Sequence, residues 1–103
     1  MVQDKRLKQE TEKIENVLDK ISSIEVHKFR YNTNKISDFT NHYGLDIEKL
    51  ESIFPETVKN KFKIKNKTDN TLYKVAIYDE LIPLLIEAIK ELKFKIEKLE
   101  KEA

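Results

Sequence analysis

The densest concentration of chemically active side chains in this sequence is a run of lysines. The stretch KNKFKIKNK, from Lys59 to Lys67, holds five lysines in nine residues. Such a run could bind an anionic partner, but the lysines alternate with Phe62 and Ile64, as they would on an edge strand whose lysines face solvent. We interpret the run as a solvated strand face. The net charge of +1 also argues against a nucleic-acid reader, which needs a basic footprint of one sign.

Other residue types narrow the possible chemistry further. The sequence has no cysteine, which excludes disulfides, thiolate metal sites and cysteine nucleophiles. A single glycine leaves no glycine-rich phosphate loop. His27 falls inside a predicted strand with no partner in view, and we assign it no role. We predict no metal site and no cofactor.

Composition predicts one small domain, residues 1–103, with a thin core. Of its residues 39% are apolar and 38% are charged, and domains of this size often supplement their core by oligomerising. The beginning of the chain has no apolar run, and no stretch approaches about 18 consecutive apolar residues. We therefore expect a soluble protein made in a cytoplasm, with no signal peptide and no membrane partner.

The first half of the chain predicts a helix and a strand. Apolar residues recur at helical spacing over residues 4–22, and Asp4 is a candidate N-cap. The apolar positions of this helix are Leu7, Ile14, Val17, Leu18 and Ile21. The stretch IEVHKFRYN, residues 24–32, alternates as a strand does, and a polar loop follows over residues 32–41.

The second half predicts a short helix, a hairpin and a long helix. GLDIEKLESIFPETV forms the short helix, which Asp46 caps and Pro55 ends. TVKNKFKIK and TLYKVAIYD form a hairpin around NKTDN. The last helix begins between Asp79 and Leu84, with Pro83 in its first turn. We predict a small α+β domain, with a globular part over 4–78 and a coiled-coil helix over 79–103.

The last helix carries an unbroken heptad repeat. Isoleucine occupies each a position and leucine each d position, at Ile82, Leu85, Ile89, Leu92, Ile96 and Leu99. Ile86 and Ala88 widen the apolar face in the first half, which we expect to pack on the globular part. The second half narrows to a strict seam between chains, with Glu91–Lys95 and Glu97–Lys101 pairs outside it. Isoleucine at a with leucine at d favours a parallel dimer in model coiled coils.

Three segments in order resemble the endosialidase-type intramolecular chaperone domain, which ends bacteriophage tail fibres, tailspikes and neck appendages. One is YDELIPLLIEAIKEL, in the last helix. The second is QDKRLKQETEKIENVLDKISSIEVHKFRYN, near the start of the chain, and the third is HYGLDIEKLESIFPETV, which lies between the other two. The second is similar to the family's opening Ser-Asp-x-x-x-Lys motif with its helix and strand. The third is similar to its His-x-Gly and Phe-Pro-Glu-x-Val segments. Together they cover nearly the whole chain.

The resemblance implies a homotrimer joined through the heptad residues, which would be the trimer interface. It implies that the domain brings the upstream fibre domains of three identical polypeptides into one register. The domain would then cut itself away from the finished fibre. The place of action would be the cytoplasm of an infected bacterial host, or the virion tail or appendage if the domain is not cleaved off.

Release in the family looks like the work of a Ser–Lys dyad. By the resemblance, Asp4 matches the motif's aspartate, Lys8 matches the general base, and Gln3 stands in the position of the nucleophilic serine. Glutamine has no hydroxyl, so we expect no cleavage at this junction. His42 matches the family's histidine and is a candidate to orient groups there. The sequence departs from the family pattern a second time after the Gly-hydrophobic pair. The family usually has Ala-Gln there, and this sequence has Ile47 and Glu48.

Several alternatives stay open. Gln3 is an engineered replacement that blocks cleavage, or belongs to a chain begun at the junction with Met1 and Val2 added, or marks a natural member that keeps its chaperone. An active autopeptidase would need another nucleophile, such as Ser22 or Ser23. A free-standing coiled-coil adaptor would need no upstream fibre.

Overall fold

The computed structural model describes residues 2–31, 40–63 and 70–103, which form α-helices and two separate antiparallel strand pairs. This confirms the predicted α+β class. The chain divides into two compact units: Met1–Ile21 with Tyr78–Ala103, here called the terminal unit, and Ser22–Ile77, the central unit. The assignment of the whole chain to one domain stays a prediction.

The helix predicted over residues 4–22 forms only at its end, so this prediction was wrong in extent. A 3-10 turn spans Lys5–Leu7, and helix α1 spans Val17–Ser22. Asp4 does act as a cap, but of the short turn: its side chain accepts a hydrogen bond of 2.9 Å from the backbone N–H of Arg6.

The stretch between the turn and α1 is irregular for a physical reason. Its backbone reaches positive φ values, 50° at Glu10 and 59° at Asn16. Ile14 is the one long apolar side chain that residues 8–16 can offer to a packed face. Because starting a helix is costly and most helical stability comes from packing, this stretch gains little by becoming helical.

The central unit opens with a strand pair of which only one member was predicted. Strand β1, Val26–Phe29, pairs antiparallel with β2, His42–Leu45. The ladder is extended by the backbone N–H of Asp46, which donates to the carbonyl of Glu25 at 3.0 Å. Strand β2 is four residues long and contains the glycine, so its own propensity is weak. Most of the predicted loop between the strands, residues 32–39, lies outside the described residues.

The short helix is confirmed together with its start and stop signals. Helix α2 spans Ile47–Ile53, and Asp46 Oδ1 accepts a hydrogen bond of 3.2 Å from the backbone N–H of Lys49. Leu50 is fully buried. The helix ends before a 3-10 turn over Pro55–Thr57, in agreement with the predicted role of the proline.

The predicted hairpin is also confirmed. Strand β3, Val58–Phe62, pairs antiparallel with β4, Tyr73–Ala76, with a register shift near the end of β3. Lys59 and Lys61 are exposed, but so is Phe62, so the predicted alternation between a lysine face and an apolar face is not seen in β3. The rest of the lysine run from residue 64 onward, and most of the turn, lies outside the described residues.

A small core lies where the helix meets the hairpin. Leu50 and Val58 are buried there with Thr57. The Thr57 hydroxyl donates to the carbonyl of Phe54 at 2.7 Å, and the Thr57 carbonyl accepts from the N–H of Ile77 at 2.8 Å. The Thr57 N–H also donates to the carbonyl of Phe54, at 3.0 Å, so all three polar groups of the buried threonine are hydrogen-bonded, as is usual for buried polar atoms.

Helix α3 spans Tyr78–Glu102 and begins earlier than predicted. Pro83 is therefore inside the helix, at its sixth residue, and the prediction that it lies in the first turn was wrong. Proline cannot donate to the carbonyl four residues back, that of Asp79, which is a local cost. Asp79 and Glu80 occupy the first turn, where negative charge favours the helix dipole.

Candidate functional site: an exposed helix seam and the junction residues

The a and d residues of α3 form an exposed apolar stripe, here called the seam. In the single chain these side chains are between 46% and 65% exposed. Single apolar residues are common on protein surfaces, but a contiguous apolar patch marks an interaction site. The seam consists of Ile82, Leu85, Ile89, Leu92, Ile96 and Leu99.

The residues beside the seam agree only in part with the sequence analysis. Ala88 is buried, but Ile86 is 56% exposed, so the expected widening of the packed face does not occur at Ile86. Further along, Lys93 Nζ lies 3.7 Å from Glu97 Oε1 in an i,i+4 pair. Charged side chains therefore flank the second half of the seam.

Glu91 binds the start of α1, a long-range contact that the sequence did not suggest. Its Oε2 accepts a hydrogen bond of 3.0 Å from the backbone N–H of Val17, and its Oε1 accepts one of 3.2 Å from that of Leu18. One turn along α3, Lys95 Nζ lies 3.5 Å from Asp19 Oδ1. We call these three contacts the clasp. Lys95, predicted to pair with Glu91 along the helix, makes its ion pair with α1.

The clasp changes the acidity of Glu91. Desolvation acts to raise its pKa, but the hydrogen bonds from Val17 and Leu18, with a hydrogen bond to Glu87 and the charge of Lys95, lower the pKa on balance. A carboxyl group whose pKa is lowered by folding stabilises the fold above its unfolded pKa. That contribution is lost as the pH falls through the folded value.

The predicted junction residues lie around the 3-10 turn of the terminal unit. The Asp4 carboxylate accepts hydrogen bonds from the Arg6 side chain, at 2.7 Å from Nη2 and at 3.1 and 3.2 Å from Nε. These bonds, followed by the one from the Arg6 backbone, lower the pKa of Asp4. Lys8 ends the turn, with its backbone N–H donating to the carbonyl of Lys5 at 3.2 Å.

Lys8 is exposed, and so is Gln3. Sequence reasoning missed Arg6, for which the available signal was an opposite charge two residues after a capping aspartate. The catalytic roles of these residues stay predictions.

His42 belongs to the central unit, in an aromatic cluster. Its ring centroid lies 4.9 Å from that of Tyr31 and 5.8 Å from that of Phe29, and the two aromatic rings meet edge to face at 5.2 Å. A Cβ atom at Gly44 would lie 2.8 Å from Phe29 Cε1. The His-x-Gly motif of β2 therefore has a packing role: histidine joins the cluster, and glycine leaves room for the phenylalanine ring.

The alternative nucleophiles occupy the end of α1. Ser22 is the last residue of the helix, and Ser23 follows in a turn. Within the three described ranges, no group of three His, Asp or Glu side chains is arranged to hold a metal ion. Nor does any helix there combine the length and apolar character needed to cross a bilayer.

The polar face of α3 carries an open depression of about 370 Å³. It is lined by Glu87, Lys90, Glu91, Phe94 and Lys95. Because one helix provides all of these residues, the depression is a surface feature and not a substrate cleft. Phe94, at an f position of the heptad, is exposed there.

The described geometry combines a small α+β domain with an apolar helix stripe left open to solvent. The family model for the chaperone of endosialidase matches residues 4–59, more than half of the chain. The chain therefore belongs to the chaperone of endosialidase family. The matched range includes Asp4, Lys8 and His42 but neither Gln3 nor the seam. No curated protein matches the chain in a sequence comparison.

Proposed function

We propose that this chain is a trimerising intramolecular chaperone that registers and helps to fold an upstream fibre or tailspike-type segment of the same polypeptide. Membership of the chaperone of endosialidase family supports the chaperone role. The observation that carries self-association is the seam, whose a and d side chains are about half exposed in the single chain; three chains, in place of the dimer that the a and d pattern favours, is what the resemblance to the family implies.

The seam has a favourable but limited free energy of burial. Fully burying an Ile or Leu side chain contributes about 1.5–3 kcal/mol, so covering the exposed half contributes about 1 kcal/mol for each seam residue. Three chains then gain about 18 kcal/mol in all. Bringing three chains together takes two association steps, each costing about 4–15 kcal/mol. The free energy gained by burying the seam is thus similar to the cost of bringing three chains together. Trimer formation should therefore depend on chain concentration.

Weak association through the seam is compatible with a role in assisting folding. Intertwined β-structure folds slowly because its pairings are far apart in sequence. Three chains joined at one end present their upstream strands to one another at a high effective concentration. The domain would thereby select one register before the fibre closes.

Self-cleavage is not part of the proposed function of this sequence. Gln3 has no hydroxyl with which to form an ester intermediate, so the chaperone stays attached to its fibre. It would act in the cytoplasm of an infected bacterial host and remain on the virion tail or appendage.

The test uses an upstream fibre segment expressed with and without this chain at its C-terminus. We expect the segment to form soluble trimers only when the chain is attached, as measured by light scattering. Equal yields of folded segment in both cases contradict the chaperone role. A chain that trimerises but never affects an upstream segment fits the free-standing adaptor.

A further inference from the structure

The clasp joins the beginning of the chain to the helix that carries the seam. Val17 and Leu18 supply the first two backbone N–H groups of α1, which have no acceptor within their own helix. Both donate to Glu91, more than 70 residues away in sequence. The contact is therefore tertiary, and it holds a segment that the sequence separates widely from α3.

The backbone before α1 explains why a distant carboxylate is needed. The residue ahead of a helix normally caps it from an extended conformation. Asn16 has a φ of 59°, in the left-handed region, and does not hold that conformation. Glu91 supplies the acceptors from outside, and the contact between Lys95 and Asp19 adds a second point of attachment.

The clasp residues of α3 lie within the length of helix that carries the seam. Glu91 precedes Leu92, and Lys95 precedes Ile96, so each clasp residue is adjacent in sequence to a seam residue. Pairing of the seam fixes the helix on which Glu91 is carried. Where the paired seam holds this part of α3 in the arrangement that the clasp needs, pairing favours the clasp, and the clasp favours pairing by the same free energy.

We propose that Glu91 is a positioning residue, through which assembly of the seam orders the segment leading back to Asp4 and Lys8. This inference rests on the proposed function, in which the upstream chain enters through that segment. Each subunit of the trimer would present its junction from a fixed place on α3. The register set by pairing of the seam would then be transmitted through the clasp to the upstream segments of the three chains.

Amide hydrogen exchange of the full chain tests the proposal at the two donors. In Glu91→Ala, we expect exchange at Val17 and Leu18 to become about tenfold faster, because a hydrogen bond to a charged acceptor protects each amide. Glu91→Gln keeps a carbonyl acceptor and should give an intermediate rate. Glu97→Ala is the matched control, because it removes an exposed carboxylate of α3 whose ion pair with Lys93 lies along the same helix.

Three results would overturn the proposal. One is unchanged exchange at the two donors in Glu91→Ala, and another is an equal effect of Glu97→Ala. The third comes from Leu92→Asp: if this variant dissociates the assembly without speeding exchange at Val17 and Leu18, the seam does not order the segment.

Light scattering of the unaltered chain separates this proposal from the proposed function. A monomer whose two donors are still protected by Glu91 contradicts trimerisation and shows that the clasp forms without the seam, so both proposals fail. A trimer in which Glu91→Ala has no effect on exchange contradicts the clasp alone.

Discussion

Replacing Leu92 by aspartate is expected to dissociate the trimer. Leu92 is a d residue near the middle of the seam and is 46% exposed in the single chain. Losing the burial of its exposed half costs about 1 kcal/mol per chain, or about 3 kcal/mol per trimer. That alone weakens assembly about a hundredfold.

The introduced charge makes the effect larger. Three carboxylates would meet in one layer of the seam, and each would lose its water. An unpaired ion removed from water costs several kcal/mol, or else it takes up a proton, which raises its pKa. Leu92→Asn removes the same apolar contacts without the charge, so the difference between the two variants measures the electrostatic part.

Lys93→Asp is the matched control at the neighbouring position. The Lys93 side chain is 77% exposed, and its contact with Glu97 is an i,i+4 pair. Such a pair is worth about 0.2–0.5 kcal/mol, so this variant should remain assembled at concentrations that dissociate Leu92→Asp.

Light scattering coupled to size exclusion, over a range of concentrations, measures the outcome. We expect about 37 kDa for three chains of 12.3 kDa, and 12.3 kDa for Leu92→Asp at micromolar concentration. A monomeric unaltered chain would refute the seam. A dimer would refute the trimer that the family implies, and a trimeric Leu92→Asp would show that assembly uses another surface.

Three further predictions concern the junction, the aromatic cluster and α2. Gln3→Ser, in a chain carrying an upstream segment, should yield a cut product on a denaturing gel, and Lys8→Ala should abolish it; cleavage that survives shows that lysine is not the base. Gly44→Ala should lower the free energy of unfolding by about 1 kcal/mol, because the added Cβ meets Phe29. In urea unfolding this penalty should vanish in a Phe29→Ala background, and a penalty that persists contradicts the packing role. Asp46→Ala should cost about 1 kcal/mol as a lost N-cap, whereas Asp46→Asn should unfold at nearly the same urea concentration.

Much of the fold could be predicted because its signals are local. Asp46 and Pro55 mark the two ends of α2 within a few residues of the backbone groups they affect. The hairpin follows from two alternating stretches around a turn rich in Asn and Asp. The same local reasoning failed over residues 4–22, where periodicity indicated a helix although residues 8–16 have too few apolar side chains to pack one.

The candidate site was predictable to a different degree in each part. The heptad of α3 was evident from spacing alone, and the exposure of Leu92 and its companions agrees with a surface left for other chains. The junction residues could be placed only by resemblance to a family. Arg6, which binds Asp4 through its guanidinium, was missed because the pair forms only when the 3-10 turn folds.

The sequence by itself determined the elements whose causes lie three or four residues apart: the caps, the helix stop, the hairpin and the seam. Tertiary structure decided the contacts between distant segments. It paired β2 with β1, placed His42 against Tyr31, and joined Glu91 to the backbone of Val17. No local pattern can specify these contacts, because each joins residues that are far apart in sequence and depends on how the chain between them folds. A glutamate on a solvated helix face gives no signal in the sequence. Glu91 becomes a cap only because α1 packs beside it in the folded chain.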